Sequence, residues 1–134
     1  MGRTFSRPDV LASRRLPHYL LDRAEVIVGV AADFLGTWIS PVEFTKAYVA
    51  GRSLAGTPPR CSWHAHIESR LSVTGAKADL RAVAAPGEFG LILSHLANRI
   101  AHKAGISWSA GDLPPCPLPP ATIDQVAGRL WEAR

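Results

Sequence analysis

The stretch that decides the fold is CSWHAHIESRLSVTG, residues 61–75, where two histidines, a glutamate and a cysteine stand among apolar residues. Apolar and polar residues alternate along it, which is the period of a β-strand with two different faces. The apolar face would carry Cys61, Trp63, Ala65, Ile67, Leu71 and Val73. The polar face would carry His64, His66, Glu68, Arg70 and Ser72. The pattern predicts a strand over residues 62–73.

A second strand is predicted directly after the first. Residues 74–77 indicate a turn, and residues 78–83 are predicted to return antiparallel. A register that sets Leu71 opposite Leu80 keeps both apolar rows on one face, as a hairpin requires. The same register sets Arg70 opposite Arg81. The sequence therefore predicts a β-hairpin with one buried face and one solvated polar face.

Two helices are predicted before the hairpin. Apolar residues recur at helical spacing over residues 17–35, which predicts a long first helix. Ser40 and Glu43 have the spacing of a capping box around Pro41, which suits the first helical position. This pattern predicts a second helix over residues 41–50.

Two more helices are predicted after the hairpin, over residues 87–103 and from residue 122 onwards. The fold class predicted is a small single α+β domain, with two N-terminal helices, a β-hairpin, a core helix and a C-terminal helix. Its predicted parts are a basic flexible arm at 1–16, a globular core at 17–105, a proline-rich extended arm at 106–121 and the C-terminal helix at 122–134.

Composition indicates one folded unit in a reducing compartment. The 134 residues are 47% hydrophobic and 19% charged, which suits a single hydrophobic core. The longest apolar run, VIVGVAADFL at residues 26–35, is well short of the ~20 residues that a membrane span needs. Cys61 and Cys116 do not form a Cys-x-x-Cys pair, so a cytoplasmic location is expected. Cys61, on the apolar row, is expected to be buried.

The two histidines of the strand are the candidate metal ligands. His64 and His66 point the same way, ~6.6 Å apart at the rise of a strand, and His95 could supply a third ligand from the helix. Glu68 lies on the same line and converges poorly with them. We therefore interpret the histidines as polar residues of a solvated face, with no metal and no cofactor. A small metal-dependent enzyme using His64 and His66 is an alternative.

The positive charge suggests an anionic partner. Net charge is +4, and arginines make up twelve of the fifteen cations. The candidate anion-binding residues are Arg70, Arg81, Lys77, Arg14 and Arg15. Arginine suits bidentate contact with phosphate, whereas the predicted helix at 41–50 has no side chain suited to base edges. The sequence therefore predicts contact with a nucleic-acid backbone or other polyanion, with a salt slope of about −3 for three or four arginines.

The function predicted is that of a non-enzymatic basic binding or assembly module. Its partner would be an anionic one, with the nucleic-acid backbone favoured, or it would pack in a homo-oligomer or a larger protein assembly. A peripheral membrane role is a further alternative, because MGRTFS fits the acylation pattern at Gly2. Membrane contact would then need the acyl chain together with nearby arginines.

Overall fold

The computed structural model describes residues 18–56, 58–107 and 112–133. The predicted arm at 1–16, with Gly2, Arg14 and Arg15, lies outside the described residues, as does the segment 108–111 of the proline-rich arm. The helices and strands are β1 (Val26–Val30), α1 (Pro41–Ala50), β2 (Trp63–Glu68), β3 (Leu80–Val83), α2 (Phe89–Lys103) and α3 (Pro120–Glu132). Short 3₁₀ turns stand at Gly75–Lys77 and Pro86–Glu88.

A parallel sheet forms the centre of the described structure. β2 lies between β1 and β3, and both pairs are parallel. Ala65 marks the register, because it pairs with Val28 on one side and with Leu80 on the other. The crossover from β1 to β2 contains α1, while residues 69–79 lead from β2 to β3 with only a 3₁₀ turn.

The predicted hairpin is wrong. Residues 80–83 form β3 and do pair with β2, but the two strands are parallel, and Leu80 lies opposite Ala65 rather than Leu71. β2 ends at Glu68, so residues 69–73 belong to the loop that leads from β2 to β3. Alternation shows which side chains share a face, but it is the same for parallel and antiparallel neighbours. The sequence pattern could not decide the strand direction.

The predicted helix at 17–35 is also wrong, and with it the order of two N-terminal helices before the strands. Val26–Val30 is a strand. Other parts of the chain cover this strand on both faces. A strand buried in this way is a continuous apolar run, which periodicity cannot distinguish from a buried helix. The other helices are confirmed at 41–50, 89–103 and 120–132. Ser40, however, makes no side-chain cap hydrogen bond.

Helices cover one face of the sheet. On this face Ile67 is 1% exposed and Ala65 is fully buried. Ala84, directly after β3, is also buried here, and the other buried residues that pack on this face from outside the sheet are Ile92, Leu96, Leu118, Ile123, Val126 and Ala127. These last six belong to α2, α3 and the described end of the proline-rich arm, so we call this the helical layer. No helix of the described residues is both long and apolar enough to cross a membrane.

An aromatic cluster covers the other face of the sheet. Ile27 packs there with Phe34, Leu35, Phe44 and Tyr48, all of which are buried. We call residues 31–50, which include α1, the aromatic layer. Because alternate residues of a strand point to opposite faces, the same face carries His64 and His66. The polar row of β2 is therefore buried under the aromatic layer rather than solvated.

Candidate functional site: a cleft beside a buried histidine pair

A cleft of about 360 Å³ lies at the carboxyl ends of β1 and β2. It is lined by Ala31, Asp33 and Thr37 after β1 and by residues 68–73 at the end of β2. In open α/β sheets, the crevices that bind ligands lie outside the carboxyl ends of the strands. We call this space the carboxyl-end cleft.

The backbone is strained where the chain enters the cleft. Ala31 has φ of 51°, in the left-handed region, and it is the one such non-glycine residue in the part of the chain that the structure describes. Strain of this kind clusters at functional sites, where the surrounding structure holds it in place. The strained residue therefore adds to the case for the carboxyl-end cleft as the functional site.

Asp33 joins the two segments that line the cleft. Its Oδ1 accepts hydrogen bonds from the backbone N–H (3.1 Å) and the hydroxyl (2.7 Å) of Thr74. The Thr74 hydroxyl in turn accepts from the N–H of Leu35 at 2.9 Å. Burial raises the pKa of Asp33, but the hydrogen bonds from Thr74 outweigh it, so the pKa lies below its ordinary value. Asp33 is therefore an ionised structural clamp at neutral pH.

Glu68 is a buried charge at the base of the cleft. It is 3% exposed, and its Oε1 accepts a hydrogen bond of 2.5 Å from Arg81 Nε. The backbone N–H of Ser72 donates to both carboxylate oxygens, at 3.3 and 3.2 Å. Burial raises the pKa of Glu68, but the hydrogen bonds from Ser72 and Arg81 bring it below its ordinary value. A Cβ on Gly75 would come within 2.5 Å of the Glu68 carboxyl carbon, so this position has no room for a side chain.

His64 and His66 form a buried pair behind these carboxylates. Both side chains are fully inaccessible to solvent, and their ring centroids lie 5.5 Å apart. The Tyr48 hydroxyl donates to the carbonyl of Lys77 at 3.0 Å, so it accepts from His64 Nδ1 at 3.1 Å. That assignment places the proton of His64 on Nδ1 and leaves Nε2 bare. Neither His64 Nε2 nor either ring nitrogen of His66 has a hydrogen-bond partner among the described residues.

Burial keeps both imidazoles neutral. It lowers the pKa of His64 to about 4, with the neighbouring His66 and Arg52 adding to the effect. It also lowers the pKa of His66, against the opposing effect of Glu68, whose Oε2 lies 3.4 Å from His66 Nε2. The expectation of solvated, ordinary histidines is wrong because a parallel sheet is covered on both faces.

The structure does not bring the proposed third metal ligand to this pair. His95 belongs to α2 on the opposite face of the sheet, where its Nε2 lies 2.8 Å from the carbonyl oxygen of Pro114. Within residues 18–56, 58–107 and 112–133, no group of three or more His, Cys, Asp or Glu side chains could hold a metal ion.

We expect the purified protein to bind no stoichiometric transition metal, because two imidazoles without a third converging ligand hold zinc poorly. Elemental analysis after dialysis measures this directly, with His95→Ala as the control variant. About one zinc, nickel or iron per chain that disappears in His64→Ala but not in His95→Ala would contradict the expectation.

The three candidate cations that the structure describes have different surroundings. Arg70 is exposed and lines the carboxyl-end cleft, whereas the Arg81 guanidinium is committed to Glu68. Arg81 pairs with His66 in the sheet register, so it does not face Arg70 across a ladder. Lys77 is exposed in the 3₁₀ turn of the following loop. The backbone N–H groups of Arg70 and Leu71, which both line the cleft, donate no hydrogen bond to other described residues.

Sequence reasoning missed one residue of the cleft and the residue that holds it, and it misplaced Cys61, which lies at the opposite end of β2. Asp33 and Thr74 were not singled out, although an acidic residue directly after an apolar run is a typical signal at the end of a buried strand. That signal was hidden once Val26–Val30 was predicted as helix. Cys61 was expected to be buried but is exposed, because it lies two residues before β2 begins.

Comparison with known proteins assigns no family to this geometry. The sequence matches no protein-family model, and no curated protein is significantly similar to it. The function is therefore inferred from the cleft, its charges and the groups buried behind it.

Proposed function

We propose that the protein is a non-enzymatic binding module that holds an anionic group of its partner in the carboxyl-end cleft. The observation that carries the proposal is the exposed Arg70 in the cleft at the carboxyl ends of parallel strands, where the backbone N–H groups of Arg70 and Leu71 have no acceptor among the described residues. A guanidinium and backbone N–H groups are the donors that proteins use for phosphate and carboxylate. The Arg70 guanidinium would supply the positive charge, and the backbone N–H groups of the loop would orient the bound anion.

The state of the other ionisable groups supports binding rather than catalysis. A general base needs a pKa near the working pH and must reach the proton it removes. Asp33 and Glu68 have lowered pKa values and are held by Thr74 and by Arg81. The imidazoles of His64 and His66 are neutral but fully buried. No described side chain of the cleft therefore combines access with a suitable pKa.

The arrangement favours a partner that presents one anionic group over one that presents a long polyanion. Arg81 is already neutralised by Glu68, and Asp33 adds a negative charge to the cleft wall. One free guanidinium predicts a salt slope of about −1 for nucleic acid, instead of the −3 expected from aligned arginines. A terminal phosphate or a carboxylate is the better match. Packing in a homo-oligomer or larger assembly stays a prediction.

Replacing Arg70 with glutamine should weaken the binding of inorganic phosphate or of a short 5′-phosphorylated oligonucleotide about tenfold, because one charge-assisted hydrogen-bond donor is lost. Amide chemical shifts during titration measure this, and we expect the perturbed signals at residues 69–73. Arg23→Gln is the matched control, because it removes an exposed arginine from the amino-terminal end of β1.

Equal weakening in Arg70→Gln and Arg23→Gln would show that only net charge attracts the anion. Shifts confined to other parts of the chain would place the site elsewhere. Either result would overturn the assignment of the carboxyl-end cleft as the anion site.

A further inference from the structure

We infer that the buried His64–His66 pair is an acid-sensitive latch between the sheet and the aromatic layer. Protonation of either ring would release the aromatic layer, while the helical layer on the opposite face stays packed. The inference concerns conformation and does not depend on which ligand the cleft takes.

The two imidazole rings lie between β2 and the aromatic layer. The His64 ring lies 5.6 Å from the Phe34 ring and 5.5 Å from the Tyr48 ring, centroid to centroid, and 5.5 Å from His66. A Cβ on Gly29 would come within 2.7 Å of His66 Cε1, so β1 leaves the second ring no space to move. Neither ring can reach water without the layer moving.

Protonation of His64 would place a charge where no acceptor awaits it, because its Nε2 has no hydrogen-bond partner among the described residues. His66 Nε2 has Glu68 Oε2 at 3.4 Å, but burial outweighs this carboxylate and keeps the pKa of His66 below its ordinary value. A buried charge without hydrogen bonds is far more costly than a neutral ring. The cation would be more stable in the released state, where water solvates it.

The neighbouring charges do not remove this penalty. The titratable and charged groups that face His64 are Tyr48, Arg52, Asp79 and His66, and those that face His66 are Asp33, Glu68 and Arg81. Arg52 binds Asp79 through two hydrogen bonds of 2.8 and 2.7 Å, and Arg81 binds Glu68. Each carboxylate near the rings therefore already accepts hydrogen bonds from another residue, in the case of Asp33 from Thr74. If both imidazoles were protonated, their positive charges would also repel each other.

The helical layer has no comparable group in its buried contacts. The described residues of its two core clusters are apolar, with Ile67 and Ala65 as the contribution of β2. The ion pair between Arg99 and Asp124 joins α2 to α3 at 3.0 Å, but both side chains are more than half exposed. Mild acid therefore acts on one face of the sheet and leaves the other unchanged.

The pH window follows from the direction of the shift. In the released state His64 takes up a proton near its ordinary pKa of 6.5, whereas in the packed state its pKa is about 4. The attachment is therefore complete above pH 6.5 and is lost as the pH falls toward 4. His64 alone predicts about a 30-fold loss in the equilibrium constant for attachment between pH 8 and pH 5, and His66 acts in the same direction.

Release would also open the carboxyl-end cleft. Asp33 and Thr37 line the cleft and belong to the aromatic layer, while the other wall, residues 68–73, follows β2. Mild acid would separate the two walls, so any ligand of the cleft would be released in the same step.

Amide hydrogen exchange followed by NMR between pH 8 and pH 5, corrected for the intrinsic exchange rate, tests the latch on the whole chain. We expect the opening constant of α1 amides such as Phe44 to rise about 30-fold or more, with α2 amides such as Leu96 unchanged. His64→Gln and His66→Gln should each reduce the response. His95→Gln and His102→Gln should keep it, because these two histidines lie on α2.

Imidazole signals of the wild-type protein give a second measurement that needs no variant. We expect the signals of the His64 and His66 rings to change only as the α1 amides lose protection. Titration of the buried rings near pH 6.5 with α1 still protected would overturn the latch. Loss of α1 and α2 protection in one step would overturn its restriction to the aromatic layer.

Discussion

Replacing Arg81 with methionine should lower the free energy of unfolding by about 3–5 kcal/mol at pH 7, because it leaves the charge of Glu68 buried without its partner. Glu68 is 3% exposed, and among the described residues it accepts hydrogen bonds from Arg81 and Ser72. Methionine keeps much of the side-chain volume, so the loss of stability would come from the unpaired charge of Glu68 rather than from a cavity. Urea unfolding followed by circular dichroism measures the change.

Arg99→Met is the matched control, because it breaks an ion pair whose side chains are 52% and 56% exposed. Such a surface pair contributes about 0–1 kcal/mol. Adding Glu68→Gln to Arg81→Met should recover a large part of the loss, since a neutral amide is cheaper to bury than a lone carboxylate. Similar small losses in both arginine variants, or no recovery in the double variant, would show that Glu68 is not a buried unpaired charge.

Gly29→Ala should lower the free energy of unfolding by about 3 kcal/mol, because a methyl group there overlaps a side chain that cannot move. The added Cβ would come within 2.7 Å of His66 Cε1, and the ring is fully buried. Thermal or urea unfolding at pH 7.5, where the imidazoles are neutral, separates this steric effect from the acid-sensitive one.

Gly128→Ala is the matched control on α3, where nothing lies within 4 Å of the added methyl group. There the change should raise stability by up to about 1 kcal/mol, because alanine favours a helix over glycine. A double variant, Gly29→Ala with His66→Ala, should lose less than the sum of its single variants, since the methyl group then occupies vacated space. Additive losses would contradict a direct clash between the two positions.

The helices of this protein could be predicted from sequence because their signals are local. The helix at 41–50 was predicted from Pro41 at its first turn and from the spacing of Ser40 and Glu43, and α2 and α3 from apolar residues at helical spacing. The division of β2 into two faces was also correct, since Ala65 and Ile67 lie on one and His64 and His66 on the other. These features depend on residues within a few positions of each other.

Less of the candidate site could be predicted, because its parts meet only through long-range contacts. Arg70 was selected as an anion-binding residue and lies in the cleft. Arg81 was selected too, but the fold commits it to Glu68. The clamp between Asp33 and Thr74 joins residues 41 positions apart. No pattern within one segment indicates such a contact.

Sequence alone therefore determined three helices and the alternation of one strand, since each follows from local spacing and backbone preference. Only the tertiary structure decided that Val26–Val30 is a strand, that the neighbours of β2 run parallel to it and that its polar row is buried. An apolar run suits a buried helix and a covered strand equally well. Alternation is likewise the same whether a face meets water or another layer, so burial is decided by what packs on that face.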